Sequence, residues 1–177
     1  MTDARGRLRQ GVRALAVWLR PVDDRAAVET LTPALLRLFR QMRPGERQHS
    51  LNVYQMLRMR GESDSQLLSA ALLHDCGKAR APYWLWERVI VVLVRHVAPM
   101  AAVRWGHSEP FGWRRPFAVN IQHPAWGADM VEAAGADPMV IELIRQHQGK
   151  IDQTMASPNS AEFVRLLTAL QAADDMN

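Results

Sequence analysis

Four histidines and two aspartates stand where their neighbours give them chemical interest: His49 in "ERQHSLNVYQML", His74 and Asp75 in "LLHDCGK", His123 in "IQHPAWGADM", His147 in "LIRQHQGK" and Asp174 in "LTALQAADDMN". The pair His74–Asp75 closes the apolar run "LLSAALL". Adjacent residues on a helix diverge by about 100° and seldom face one target. At a last turn both can lean past the helix end, where a metal ion could take an imidazole and a carboxylate together. Gly77, two residues on, supplies the stop for that helix. Asp174 follows Leu166, Leu167, Leu170 and Ala173, and a carboxylate beside a core is costly unless paired, hydrogen-bonded or metal-bound. His49 shares a helix face with Val53, Met56 and Leu57, so it too points inward. Each residue alone has an ordinary structural reading: a core histidine, a capping aspartate, a small buried Cys76, a solvated Lys78 at a helix C-terminus. His96 and His107 lack such neighbours and read as structural or surface residues.

The elements that must position these groups are helical almost throughout, and no alternating strand pattern appears. The spacing predicts a first helix over about 5–19 and a short second one capped by Asp23 or Asp24. Thr32 and Pro33 form an N-cap and N1 pair for a helix carrying Leu35, Leu36, Leu38 and Phe39. Pro44 opens a helix through about Arg60, ended by Gly61. Ser63 or Asp64 caps the helix that runs to His74–Asp75. Further helices are predicted at about 83–97, 124–134, 138–148 (Asp137 cap, Pro138 at N1) and 158–175 (Ser157 cap, Pro158 at N1).

The chain has 177 residues, 48% of them hydrophobic and 23% charged, which suits one ordinary domain with a real core. Net charge is +4, and only Lys78 and Lys150 are lysines, so the positive charge is nearly all arginine. Arginine's planar fork suits phosphate, and the basic balance permits an anionic ligand. Cys76 is the single cysteine, which excludes an intramolecular disulfide and fits a reducing compartment. The opening segment with Arg5, Arg7, Arg9 and Arg13 lacks the apolar core of a signal peptide, and Val89–Val94 is far too short to span a membrane. The expectation is a cytoplasmic protein.

Residues 80–118 depart from the rest. They hold Trp84, Trp86, Trp105 and Trp113, four of six tryptophans, with Arg88, Arg95, Arg104, Arg114 and Arg115. The plain reading is a core helix plus a tryptophan-anchored loop. The sharper one is a lid or a membrane-surface patch, since tryptophan with arginine suits an interface.

Taken in order, the residues read H, HD, H, H, D, each group on its own helix. In this the sequence resembles the HD-domain superfamily of metal-dependent phosphohydrolases. "HSLNV", "LLSAALLHDCGK" and "LQAADD" look like its H…HD…D signature, and "HPAWGADMVEAAG" with "VIELIRQHQG" looks like the two extra histidines of its two-metal branches. The pattern is most similar to the small bacterial branch that hydrolyses diadenosine tetraphosphate, although the gap from Asp75 to His123 is longer. The HH pair and GYP motif of cyclic-di-GMP phosphodiesterases are missing, since Gln146 precedes His147.

The resemblance implies an all-α, single-domain helical bundle. Residues 1–42 would be N-terminal helices packing on an HD domain at 43–177, with the Trp-rich insertion at about 80–118. It assigns His49, His74, Asp75 and Asp174 to one metal and makes Asp75 a bridge to a second held by His123 and His147. One or two divalent ions are implied; nitrogen and carboxylate donors suit iron, manganese, zinc or similar metals. A metal-bound hydroxide would attack phosphorus in line. Asp75 and Lys78 would be the catalytic residues, with Lys78 holding a phosphate oxygen. The implied substrate is a nucleotide or related phosphate ester. No nucleic acid is expected as partner; a weak membrane-surface contact through the Trp-rich stretch and a homodimer are the other partners considered. Two alternatives stand beside this reading: a non-catalytic module binding a nucleotide or partner, and a di-iron oxygenase.

Overall fold

The computed structural model describes residues 22–81, 84–149 and 158–177. The predicted helix over 5–19, Lys150 and the Ser157 cap lie outside the described residues. Among the described residues there are nine α-helices, two 3-10 turns and no strand, so the fold is an all-α single-domain bundle.

The capping signals act locally. Helix α1 spans Arg25–Thr30, with Asp24 at its N-cap position and the Asp23 carboxylate accepting from the Arg25 amide. In α2, Pro33–Gln41, the Thr32 hydroxyl accepts from Leu35 N–H. Helix α3, Pro44–Met59, is closed at its start by the Glu46 carboxylate on Arg43 N–H, and the chain leaves it through Gly61 at φ 85°. Asp64 caps α4, Ser65–Leu73, by accepting from Leu67 N–H at 2.8 Å. Caps of this kind stabilise by about 1 kcal/mol each.

Helix α4 is the axle of the bundle. It packs against α1, α2 and α3, and against two later helices, α8 (Pro138–Gln146) and α9 (Pro158–Asp174). Its Leu67, Leu68, Ala70, Ala71, Leu72 and Leu73 are all buried, as an all-round apolar helix requires. Phe39, Leu57, Leu143, Ile144, Leu166 and Leu170 close the same core. The helices at 25–41 thus contribute to the core that holds the rest.

Residues 80–118 fold into more helix than the sequence reading allowed. After the 3-10 turn Cys76–Arg80 come α5 (Leu85–Val97) and α6 (Pro99–Gly106), a second 3-10 turn at Gly112–Arg114, and then α7 (Arg115–Ala133). The expected tryptophan-anchored loop is replaced by α6, which Pro99 opens at its N1 position. Helices α5 and α6 pack on each other and on α7 around a small core of Val91, Ala102 and Phe117.

Helix α7 also starts well before the predicted 124, and Pro124 lies inside it. The reason is visible in the hydrogen bonds. Proline has no N–H for the carbonyl four residues back, here Asn120. The His123 imidazole supplies the missing donor, its Nδ1 lying 3.2 Å from Asn120 O and 2.9 Å from Val119 O. The proline therefore leaves the helix intact and frees a carbonyl for the histidine beside it.

Candidate metal centre

The end of α4 resolves the difficulty of two neighbouring ligands. The helix stops at Leu73, His74 takes the C-cap position, and the backbone tightens through Asp75 into the 3-10 turn. That change of path brings His74 Nε2 and Asp75 Oδ2 to 3.7 Å. Gly77 acts differently from the expected helix stop. Its φ is not positive, but a Cβ there would lie 2.0 Å from the His123 carbonyl oxygen and 2.6 Å from Gly127 N. Gly77 is thus a contact point between backbones. It lets the turn carrying Asp75 press against α7, which carries His123.

All six predicted ligand residues converge. His49 from α3 places Nε2 2.8 Å from Asp174 Oδ1 of α9, and His74 Nε2 is 3.5 Å from the same oxygen. On the other side, Asp75 Oδ1 lies 3.3 Å from His123 Nε2 and 4.0 Å from His147 Nε2. Two triads result, His49–His74–Asp174 and Asp75–His123–His147, each with its donor atoms within 4.8 Å of one another. Asp75 stands between them, one oxygen toward each.

The donors fit a cation. His74, His123 and His147 each set Nδ1 against a backbone carbonyl, of Ala71 at 2.9 Å, of Val119 at 2.9 Å and of Ile144 at 2.8 Å. A carbonyl only accepts, so each Nδ1 carries a proton and each ring turns its Nε2 inward, where the neutral rings of His123 and His147 present lone pairs. His123 and His147 aim those lone pairs at each other across 3.3 Å. His74 Nε2 is buried with no hydrogen-bond partner, the Asp174 contact being an ion-pair distance only. Three Nε2 atoms gathered with two carboxylates in a largely dry interior form a donor set that could hold a cation.

Electrostatics divide the three rings. Burial works against a charged His74, but Asp75 and Asp174 outweigh it and raise its pKa. Burial likewise opposes the Asp75 carboxylate, yet Lys78, His74 and His123 hold it well below the usual range. Asp174 is lowered too, its burial overcome by His49 and His74. His123 is lowered by burial, and His147 is pushed down to about 3 by burial and by His74 and His123, so both stay free bases at neutral pH. Burial and then Asp75 lift the Cys76 thiol to about 12, which makes it an inert core residue.

Lys78 is not the solvated lysine of its plain reading. Its Nζ lies 2.6 Å from Asp75 Oδ2, with the side chain largely buried. His96 and His107 lie apart, exposed near the ends of α5 and α6. Several residues around the site carried no signal in their spacing. A cavity of about 360 Å³ opens beside His147 and Asp174 and is also lined by Arg95, Gln148 and Gln171. Gln171 Nε2 donates to Gly149 O at 2.9 Å, tying the turn after His147 to α9. Its position one turn before Asp174, on the same face, is the only cue the sequence offered. Arg95 was visible only as one arginine among five.

The fold is thus an all-α bundle whose paired His/Asp triads, at the end of its central helix, could hold metal ions. A family model for the HD domain matches residues 47–174, most of the chain and all six ligand candidates. The chain belongs to the HD domain family, whose members are generally metal-dependent phosphohydrolases. Neither the curated proteins nor the solved structures gave a match.

Proposed function

We propose that the chain is a phosphohydrolase that cleaves a nucleotide or related phosphate ester with the help of one or two divalent ions. The observation that carries this reading is the set of three buried imidazoles, each fixed by a backbone carbonyl at Nδ1 and each bringing Nε2 within 4.0 Å of Asp75. His49, His74 and Asp174 would hold one ion, His123 and His147 a second, and Asp75 would serve both. Such ions would acidify a water and draw negative charge off a phosphate.

The remaining work falls to the chain. Lys78, at 2.6 Å, keeps Asp75 anionic and adds a positive charge at the edge of the site. Arg95 brings a guanidinium to the cavity beside His147 and Asp174, suited to a phosphate remote from the reacting one. Asn120 Oδ1, 3.2 Å from Arg95 Nη1, steadies that side chain. Gln148 and Gln171 line the same cavity. A cavity of this size sits at the small end of ligand sites, enough for part of a nucleotide with the rest at the surface.

Within this reading the HD unit is residues 43–177 with residues 80–118 as its insertion, and the protein acts in the cytoplasm. Dinucleoside polyphosphates are the first substrates to try, on the H…HD…H…H…D order. The test is to purify the protein, measure bound metal, and screen mononucleotides, cyclic nucleotides, dinucleoside polyphosphates and simple phosphate esters with manganese, iron and magnesium. Phosphate release that vanishes with the metal in Asp75→Ala is the expected result. A metal-loaded protein that binds a nucleotide but never turns it over would mark a binding module instead, and normal turnover in Asp75→Ala would end the proposal.

A further inference from the structure

Eleven of the fourteen exposed large hydrophobic residues among the described positions fall between Trp84 and Trp113. They are not scattered. On α5, Trp86, Val89, Ile90, Leu93 and Val97 recur at helical spacing and form one outward stripe. On α6, Met100 and Val103 are exposed as well, Met100 at 81%. The inner side of α5 has its own small core, with Val91 against Ala102 and Phe117. Helix α5 is therefore apolar on two sides, and nothing among the described residues covers the outer one. Contiguous apolar surface of this kind marks an interaction site.

Charge around the stripe selects the partner. Arg104 and Arg114 are exposed beside it, whereas Glu87 is buried and paired with Arg115 at 2.6 Å, leaving Glu109 as the exposed acid of residues 84–115. The tryptophans before α5 and after α6 each carry a guanidinium over the ring, Arg43 on Trp84 at 4.9 Å and Arg114 on Trp113 at 5.0 Å. Aliphatic residues along the centre, tryptophan and arginine at the ends, and no long apolar span are the layout of a helix lying in a lipid interface. In a two-fold contact through this face each copy would add its own exposed Arg104 and Arg114 to the interface, with Glu109 as the one exposed acid of residues 84–115 to offset them.

We propose that the outer face of α5 and α6 seats on a membrane surface that carries anionic lipid. It would do so while the opposite side of α5 holds Arg95 at the metal-site cavity. The face needs neither metal nor turnover, so it stands or falls separately from the phosphohydrolase reading.

The test uses the full chain with sedimented vesicles of phosphatidylcholine alone and with added phosphatidylglycerol. Binding to the anionic vesicles, weakened by salt, is expected, with a blue shift of tryptophan emission. The double variant Leu93→Asp, Val97→Asp should abolish binding while helical content and bound metal stay unchanged, because both side chains are exposed. Removing two surface arginines with Arg104→Gln, Arg114→Gln should weaken anionic binding roughly 30-fold. Absence of binding to the anionic vesicles overturns the proposal. So does equal binding to both vesicle types. A dimer that the Leu93→Asp, Val97→Asp variant loses, without vesicle binding, would assign the face to a second copy instead.

Discussion

Helices α4 and α5 follow one another in the chain, and both are rich in aliphatic residues. In α4, five helices surround the axis, and every leucine is buried. In α5, support comes from α6 and α7 on one side only, and Leu93 remains 59% exposed. Local composition is similar, so the difference lies in what the rest of the chain brings to each. The site uses the enclosed helix. Ligands at the end of a helix packed on all sides cannot drift, and His74 and Asp75 inherit that rigidity. Helix α5 does the opposite and offers a face that no described residue covers, at the margin of the same site.

This contrast can be broken at several points, beginning with the enclosed helix. Leu72→Ala removes a side chain with no exposed surface. It should cost about 2–5 kcal/mol, seen as a Tm lowered by roughly 4–20 °C at about 2–4 °C per kcal/mol. A shift under one degree would mean that α4 is not the axle.

Gly77→Ala comes next. The added Cβ must displace the His123 carbonyl or the turn itself. Overpacking of this kind costs about 1–3 kcal/mol. The specific expectation is that bound metal falls before the fold does, because Asp75 and His123 are pushed apart. Metal content equal to wild type would reduce Gly77 to a packing residue.

Glu87→Gln acts on the first turn of α5. Glu87 accepts two bonds from Arg115, at 2.6 and 2.8 Å, and one from the Trp84 amide. Losing that charge should cost about 1–2 kcal/mol. Hydrogen exchange should quicken along α5 while metal content holds. Loss of metal in this variant would show that α5 and the bundle are one cooperative unit.

These positions also show how far the sequence could be read. Helix starts were legible where the chemistry is local: Thr32, Asp64 and Asp137 each accept an amide proton from the first turn that follows. The candidate ligands stood out because few residue types can bind a cation and their order along the chain is distinctive, and the structure brings them into two triads. What escaped depends on contacts between distant segments. Pro124 reads as a helix start until His123 is seen to satisfy the carbonyl it orphans. Gly77 reads as a helix stop until α7 is seen against it. Helix α6 was missed because short apolar runs between tryptophans look alike whether looped or helical. Arg95 and Gln171 were missed as pocket residues because their importance comes from a neighbour in space, not in sequence.

The smallest expected effect separates the two helices most sharply. Leu93→Ala deletes as many atoms as Leu72→Ala, yet Leu93 keeps more than half of its surface in water. The transfer energy of atoms that never left water is close to nil, and no cavity can form where no wall exists. Stability should therefore change by less than about 0.5 kcal/mol, with a Tm within roughly 2 °C of wild type. If Leu93→Ala instead destabilised the soluble protein as Leu72→Ala does, some part of the chain would have to cover α5 in solution. The face would then be core, and its claim on a lipid surface would fall with it.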